Sequence, residues 1–307
     1  MRIAVVGAGG VGGGYGAFLA KSGADVTFIA RGAHLAAMQS KGLRLESQRG
    51  DIHLNPTQAT DDPGSVAPVD VVLFCVKLWD VESAGAAIKP MVGPHTAVIP
   101  LQNGIDASQR LVPILGAGAV MGGVAGIAAT IMAPGLVRQT GTGLRMVFGE
   151  LDGSMSDRGQ AFAALCAKAS IDGVLSRSIP TDLWMKFILL ASNASIMALA
   201  RLPVGKLRDD PDIGPWFAAA YEEVAQVGRA AGIALPEDAV ERTLGFNRNA
   251  PPHLIPSMAV DLLRGNRIEL PWLSGRVVEL GRKHGVATPV HSLMYAMLKP
   301  YIMGKPA

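Results

Sequence analysis

The first sixteen residues of the chain, MRIAVVGAGGVGGGYG, limit its possible folds more than any other stretch. Residues 3–6 are apolar and predict a buried parallel strand, whereas residues 11–21 predict a helix. Between them lie the three glycines of a G-x-G-x-x-G motif, Gly7, Gly9 and Gly12. The first permits a tight turn, the second lets a pyrophosphate approach the backbone, and the third lets helix and strand pack closely. Because residues 25–30 then predict a second strand, we interpret the stretch as the start of a dinucleotide-binding domain and not as a plain glycine-rich turn.

Strand and helix patterns alternate along the chain as far as residue 180. Further buried strands are predicted at residues 70–76, 97–101 and 118–130, and helices at residues 33–40, 80–88 and 107–115. Residues 43–54 predict a hairpin, and residues 136–139 and 144–148 predict a late antiparallel pair. This alternation is typical of an α/β fold with a Rossmann-type, doubly wound parallel sheet.

Strand patterns disappear from residue 181 onward. Helical patterns cover residues 183–200, 213–231, 236–244, 254–264, 271–284 and 290–299. The sequence therefore predicts a nucleotide-binding Rossmann-type domain over residues 1–180 and an all-helical substrate and catalytic domain over residues 181–307. Since no low-complexity linker separates the two domains, we expect a cleft between them to hold the active site.

The composition argues against several classes of protein. A chain of 307 residues with net charge +3, 5% aromatic residues and no run of Lys or Arg gives no support for nucleic-acid binding. Its two cysteines, Cys75 and Cys166, form no motif and suit a reduced, cytoplasmic compartment. Residues 111–137 carry no charge, but their glycines and prolines argue against a membrane span. The histidines show no metal-ligand spacing, so no metal site is predicted.

Three residues are predicted to follow the carboxyl ends of parallel strands, where such sheets bind their ligands. Arg31 follows the second strand, at the position where an acidic residue would take the ribose hydroxyl of NAD. A basic residue there favours the 2′-phosphate of NADP, and the alternative is a solvated surface arginine. Lys77 and Asn103 end two further strands. An ordinary exposed lysine and an Asn-Gly turn are the alternatives for these two, and their common placement favours binding of the cofactor.

Two charged residues of the helical domain are candidates for catalysis. Lys186 lies early in the most apolar helix, in D-L-W-M-K-F-I-L-L, so it either snorkels to the surface or has a function. A partly buried lysine has a lowered pKa and can donate a proton near neutral pH. Glu269 lies just before Pro271, where the alternative role is to cap a helix N-terminus.

The chain as a whole resembles the ketopantoate reductase (2-dehydropantoate 2-reductase) family. The N-terminal motifs that carry the resemblance are I-A-V-V-G-A-G-G-V-G-G-G-Y-G and F-I-A-R-G. The internal motifs are V-K-L-W-D around Lys77, L-Q-N-G around Asn103 and L-W-M-K around Lys186. S-M-A-V-D-L-L-R-G-N-R-I-E, which runs from Ser257 to Glu269, matches the C-terminal motif. The motifs occur in the order and spacing of the family over essentially the full length.

This resemblance implies an NADPH-dependent reduction of a 2-oxo acid to a 2-hydroxy acid, nominally 2-dehydropantoate to pantoate as in pantothenate biosynthesis. It implies Lys186 as the general acid that protonates the developing alkoxide, with Glu269 holding a substrate hydroxyl and helping to place the lysine. Ser257 would contact the substrate, Asn103 both the substrate and the nicotinamide region, and Lys77 would support the network. The expected partner is a small-molecule 2-oxo acid, and the helical domain could pair in a homodimer.

The sequence departs from the family pattern among the groups expected to contact the substrate. The family commonly has asparagines four and eight residues after the catalytic lysine, where this chain has Leu190 and Ala194. After the glutamate, the usual acidic residue and asparagine are replaced by Pro271 and Ser274. These departures leave the reaction type that the resemblance implies unchanged and affect only which 2-oxo acid would bind.

Asn193 offers one way to restore an amide to the substrate site. It lies seven residues after Lys186, on the same face of the predicted helix. It would either contact the substrate or make a polar contact between helices. Two other functions stay open beside ketopantoate reduction: a related NADP-dependent reductase of a different 2-oxo acid, and a non-catalytic NADP-binding sensor.

Overall fold

The computed structural model describes residues 1–306, which form two compact units. The first unit comprises Met1–Gln102 and Asp106–Ile179. The second comprises Asn103–Ile105 and the residues from Pro180 onward. The short segment from Asn103 to Ile105 thus groups with the second unit, although residues of the first unit flank it in the sequence. Each unit has a hydrophobic core of its own.

Strands and helices alternate in the first unit. Its strands are β1 (Arg2–Val6), β2 (Asp25–Ile29), β3 (Leu43–Glu46), β4 (Ile52–Leu54), β5 (Ala59–Thr60), β6 (Val69–Phe74), β7 (Val92–Pro100), β8 (Met121–Gly126), β9 (Ala129–Ala133), β10 (Leu136–Gln139), β11 (Arg145–Glu150) and β12 (Asp172–Leu175). Its helices are α1 (Gly10–Lys21), α2 (Gly32–Lys41), α3 (Val81–Ala87), α4 (Ala107–Leu115) and α5 (Asp157–Lys168). A parallel sheet with strand order β5–β2–β1–β6–β7 confirms the predicted Rossmann-type fold.

The parallel sheet forms because its central strands are apolar on both faces. Ile3 and Val5 of β1 and Leu73 of β6 are each at most 1% exposed, and so are Ala4, Val72 and Phe74, which point to the other face. Strands buried on both faces are what a parallel sheet covered by helices requires. The chain passes from β1 to β2 on one side and from β6 to β7 on the other, so the direction of winding reverses between β1 and β6. Ligands of such sheets bind at the carboxyl ends of the strands beside this reversal.

The strands after residue 118 pair differently from the prediction. Residues 136–139 and 144–148 do not form a pair, because β10 lies between β3 and β9 whereas β11 lies between β8 and β12. Residues 118–130 are likewise not one strand but β8 and the start of β9, in different sheets. Packing decides this outcome. Val137 of β10 packs closely against Gly13 of α1: a Cβ atom added to Gly13 would lie 2.9 Å from Cγ2 of Val137. Phe148 of β11 is instead fully buried against Phe162 of α5.

The second unit is helical, as predicted. Its helices are α6 (Ile179–Ala200), α7 (Gly214–Ala230), α8 (Ala239–Asn249), α9 (Ser257–Leu263), α10 (Ser274–His284) and α11 (Pro289–Leu298). Phe187 of α6, Phe217 and Tyr221 of α7, and Leu273 just before α10 are each at most 1% exposed and pack into one core. Helix α6 is long and apolar enough to cross a membrane, but 61% of its most apolar window is buried inside the fold. That burial is typical of a central core helix.

A buried polar network joins four helices of the second unit. The Ser274 hydroxyl lies 2.7 Å from the Ser195 hydroxyl and 2.9 Å from Nδ1 of His291, whose Nε2 lies 3.2 Å from the Ala220 carbonyl oxygen. Since Nε2 must donate to that carbonyl, Nδ1 accepts a hydrogen bond from Ser274. Burial lowers the pKa of His291 to about 4, so the imidazole is neutral. The network satisfies these polar groups inside an apolar core.

Candidate active site

Three of the predicted cofactor residues lie at the same edge of the parallel sheet. Gly7, Arg31 and Lys77 follow the carboxyl ends of β1, β2 and β6, respectively. The Gly7 N–H donates to the carbonyl of Ile29 at 3.0 Å, which holds the ends of β1 and β2 together. This edge includes the reversal between β1 and β6, where a doubly wound sheet binds its ligand.

The glycines of the motif meet different steric demands. Gly7 has φ +91°, and a Cβ there would lie 2.9 Å from the backbone of Cys75, so no larger residue fits. A Cβ on Gly12 would lie 2.2 Å from the Gly7 carbonyl oxygen, which is the close approach of α1 to β1 that the motif predicts. Gly9, the N-cap of α1, has no heavy atom within 4 Å of the position its Cβ would take. The backbone at the start of α1 is therefore open on that side.

Two positive charges flank this glycine loop at the sheet edge. Arg31 is exposed and is the N-cap of α2, in an extended conformation. Lys77 is also exposed, and its Nζ atom lies 5.6 Å from the centroid of the Trp79 ring, within the range of a cation–π contact. A basic edge of this kind is suited to phosphate groups.

Asn103 follows β7 and is half-buried. The next residue, Gly104, has φ +97°, so the predicted Asn-Gly turn is present. Ile105 then packs against the core of the helical unit. The residue before the turn, Gln102, is 7% exposed. The turn and a ligand contact are therefore compatible roles for Asn103.

Lys186 lies in the first half of α6, next to buried Phe187. Burial lowers the pKa of Lys186 to about 8, and the negative charge of Glu269 raises it in part. A lysine that only snorkels keeps its ammonium hydrated and its pKa unshifted. The structure thus has, in the helical unit, an amine that is protonated at neutral pH and can give up its proton more readily than an ordinary lysine.

Glu269 is 4% exposed and directly precedes a short 3-10 turn, Leu270–Trp272. Its side chain makes no capping hydrogen bond to that turn, so the capping alternative does not describe it. A buried carboxylate is costly unless a positive charge or hydrogen bonds compensate it. Lys186, on α6, supplies a compensating charge. Ser257, in the same unit, is exposed at the first position of α9.

Asn193 makes the polar contact between helices that was one of its two expected roles. It is 5% exposed, and its Oδ1 atom accepts a hydrogen bond from the Tyr221 hydroxyl at 2.5 Å. Its Nδ2 atom lies 3.5 Å from Oδ1 of Asn247. Neither partner could be predicted from the sequence, because Tyr221 and Asn247 lie on α7 and α8 and no spacing pattern links them to α6.

The residues that depart from the family pattern have different environments. Leu190 is half-buried and lies on the face of α6 that carries Lys186. Ala194 is fully buried. Ser274 is also fully buried and uses its hydroxyl within the core network. Of these three, only Leu190 therefore has part of its side chain accessible beside the lysine.

The described side chains include no candidate metal site. Within residues 1–306, no group of three or more His, Cys, Asp or Glu side chains is arranged to hold a metal ion. Cys75 and Cys166 are free thiols, and burial raises the pKa of both.

Comparison with known proteins identifies the family. The family model "Ketopantoate reductase PanE/ApbA" matches residues 3–153, and "Ketopantoate reductase PanE/ApbA C terminal" matches residues 178–301. The 2-dehydropantoate 2-reductase of Caulobacter vibrioides is 31% identical over 296 residues, which cover 96% of this chain and 97% of that protein. The crystal structure of a PanE/ApbA family ketopantoate reductase from Ralstonia eutropha has a TM-score of 0.90 at 33% identity, with 98% of each chain covered.

A more distant enzyme shares the fold. D-mandelate dehydrogenase, solved with NADH and anilino(oxo)acetate, has a TM-score of 0.89 at 20% identity, with 98% of each chain covered. At that identity the likeness shows the fold alone. The two family models cover residues of both units, and the nearer relatives match over nearly the full length. This chain therefore belongs to the ketopantoate reductase PanE/ApbA family of oxidoreductases.

Proposed function

We propose that this chain reduces a 2-oxo acid to a 2-hydroxy acid with NADPH as the hydride donor. The observation that carries the proposal is the pairing of Lys186, whose pKa is lowered to about 8, with the buried carboxylate of Glu269. A general acid works best when its pKa lies near the working pH, and burial that outweighs the counter-charge brings a lysine toward that range. The free thiols of Cys75 and Cys166 suit a cytoplasmic location for such an enzyme.

The proposed chemistry divides between the cofactor and the helical unit. When bound, NADPH would supply the hydride that reduces the carbonyl carbon. The Lys186 ammonium stabilises the negative charge that develops on the carbonyl oxygen and then donates its Nζ proton to that oxygen. The Glu269 carboxylate keeps the ammonium oriented and charged, and accepts a hydrogen bond from a substrate hydroxyl. Ser257 contacts the other end of the substrate.

The first unit fits a dinucleotide phosphate. Gly9 leaves the backbone N–H groups at the start of α1 open to a pyrophosphate, and Gly7 supplies the turn that aims them. Arg31 stands where an NAD-binding chain would have a carboxylate, which favours the 2′-phosphate of NADP. We assign Lys77 to the cofactor as well, and Asn103 to both the cofactor and the substrate. The family resemblance supports these roles.

The proposal also concerns which 2-oxo acid is the substrate. The Caulobacter vibrioides relative is a 2-dehydropantoate 2-reductase, so 2-dehydropantoate is the nominal substrate. A second candidate, a 2-oxo acid with an apolar side chain and no hydroxyl, is favoured by the environment of Lys186. Leu190 offers an apolar surface on that face of α6. The side-chain amide of Asn193 is already hydrogen-bonded to Tyr221 and Asn247. With no free amide on this face of α6, the site has fewer groups that discriminate in favour of a substrate hydroxyl.

An assay of NADPH oxidation with a panel of 2-oxo acids tests the proposal. The panel contains ketopantoate, 2-oxoisovalerate, a straight-chain 2-oxo acid and phenylglyoxylate, and NADPH binding is titrated in parallel. Turnover with at least one member is the expected result. Tight NADPH binding without turnover on any member would identify a non-catalytic sensor instead.

A further inference from the structure

Gln102 ties the ends of two strands of the parallel sheet together. Its Nε2 atom donates hydrogen bonds to the carbonyl oxygens of Phe74 at 2.9 Å and Val76 at 3.0 Å. The backbone pairing of β6 with β7 ends one step earlier, where the Leu101 N–H donates to the Phe74 carbonyl at 2.9 Å. The side chain of Gln102 therefore extends the link between the two strands beyond the point where the backbone ladder stops.

The residues on either side of this link are two of the proposed cofactor residues. Lys77 directly follows Val76, and Asn103 directly follows Gln102. Because one amide bonds both Phe74, at the end of β6, and Val76, two residues beyond it, the backbone positions of Lys77 and Asn103 are set relative to each other. We propose that Gln102 is a positioning residue for cofactor binding, one that holds Lys77 and Asn103 in register at the carboxyl edge of the sheet. This rests on the proposed function, which places both residues at the dinucleotide.

The burial of the Gln102 side chain and the state of its Oε1 atom support this role. The side chain is 7% exposed, and Oε1 is buried without a hydrogen-bond partner in the part of the chain that the structure describes. A buried acceptor without a partner destabilises the folded state, and an apolar side chain of similar size would avoid that penalty. The two donated hydrogen bonds are therefore what distinguishes glutamine from such a side chain at this position.

Gln139 provides a matched control within the same unit. It is 3% exposed, its Nε2 atom donates to the Gly143 carbonyl at 2.8 Å, and its Oε1 atom accepts from the Ser47 hydroxyl at 2.6 Å. It lies on β10, which belongs to a different sheet from β6 and β7. Loss of its hydrogen bonds should destabilise the fold without altering the cofactor edge.

The test compares Gln102→Met with Gln139→Met. Thermal unfolding, the NADPH Kd from fluorescence titration, and kcat and KM are measured for both variants and the unmutated protein. Both variants should lose thermal stability. Only Gln102→Met should raise the NADPH Kd, by about tenfold, as expected when a pair of neutral hydrogen bonds no longer holds the binding residues in place. Gln102→Asn keeps the amide on a side chain that is one methylene group shorter, so it should raise the NADPH Kd by a smaller factor. This variant replaces Gln102→Met if the latter does not fold.

An NADPH Kd for the folded Gln102 variant within about twofold of the unmutated value would overturn the proposal. An equal rise in Kd for Gln139→Met would overturn it too, since the effect would then follow from general destabilisation. The Kd comparison needs no turnover. If the unmutated protein binds NADPH but reduces no 2-oxo acid, the proposed reaction fails while the role of Gln102 is still decided by Kd.

Discussion

The charge of Glu269 raises the pKa of Lys186 while burial lowers it, and burial prevails, which leaves the pKa at about 8. The two residues are 83 positions apart in the sequence, on α6 and just before a short 3-10 turn, and both belong to the helical unit. In the proposed reaction the lysine would donate the proton, and the charge of the glutamate would set the pH range in which it does so.

Glu269→Gln should move the pH dependence of the reaction to lower pH. Lys186 donates only when protonated, so kcat/KM for reduction should be level below about pH 8 and fall by about tenfold per pH unit above it. Removal of the carboxylate charge lowers the pKa of the lysine further, so the falling limb should begin at a lower pH. The measurement is kcat/KM against pH for the two proteins.

Glu223→Gln is the control for that shift. Glu223 is a buried carboxylate of the same unit that accepts hydrogen bonds from the N–H groups of Val290 and His291. The pH limb of this variant should match that of the unmutated protein. If the fall of kcat/KM in Glu269→Gln begins at the same pH as in the unmutated protein, or at a higher pH, Glu269 does not set the pKa of the proton donor.

Arg31→Ala should remove most of the preference for NADPH over NADH. An arginine–phosphate pair is a strong, charge-assisted contact, so we expect NADPH to bind about ten to a hundred times more tightly than NADH in the unmutated protein. Arg44→Ala, at another exposed arginine of the same unit, should leave that ratio unchanged. The Kd values of both cofactors are measured for the three proteins. Equal affinities in the unmutated protein would contradict the assignment of NADP.

Leu190→Asn should shift the substrate preference toward ketopantoate. The unmutated protein should have a higher kcat/KM for 2-oxoisovalerate than for ketopantoate, because the half-buried leucine offers no group to bond the 4-hydroxyl. An asparagine there should raise the ratio of ketopantoate to 2-oxoisovalerate by about tenfold, the typical effect of a hydrogen bond to a neutral group. Leu199→Asn, at an exposed leucine of the same helix, should not change the ratio. Strong ketopantoate preference in the unmutated protein would restore the nominal substrate.

The parts of the fold that could be predicted are those with a local cause. The glycine motif and the apolar runs of β1, β2 and β6 each specify their own structure, so the parallel sheet and the edge that carries Arg31 and Lys77 follow from them. The partners of the five strands from β8 through β12 could not be predicted in this way. Packing of β10 against α1 and of β11 against α5 decides which sheet each one joins.

The same distinction applies to the site. Lys186 and Glu269 could be selected from the sequence because a charge in an apolar helix and an acid before a proline are local signals. The environment of Asn193 could not, because Tyr221 and Asn247 are 28 and 54 residues away and meet it only when α6, α7 and α8 pack together. The hydroxyl of Ser274 likewise faces Ser195 and His291 for reasons of tertiary packing.

Lys186→Met tests the central claim most directly, since it keeps most of the apolar stem of the lysine but has no proton to donate. Turnover of NADPH with the best 2-oxo acid and the NADPH Kd are measured for this variant and for Lys206→Met, a change at an exposed lysine of the same unit. We predict that kcat of Lys186→Met falls by about 10²–10⁴-fold with little change in NADPH Kd, and that Lys206→Met has normal values of both. Turnover close to that of the unmutated protein in Lys186→Met would contradict the account.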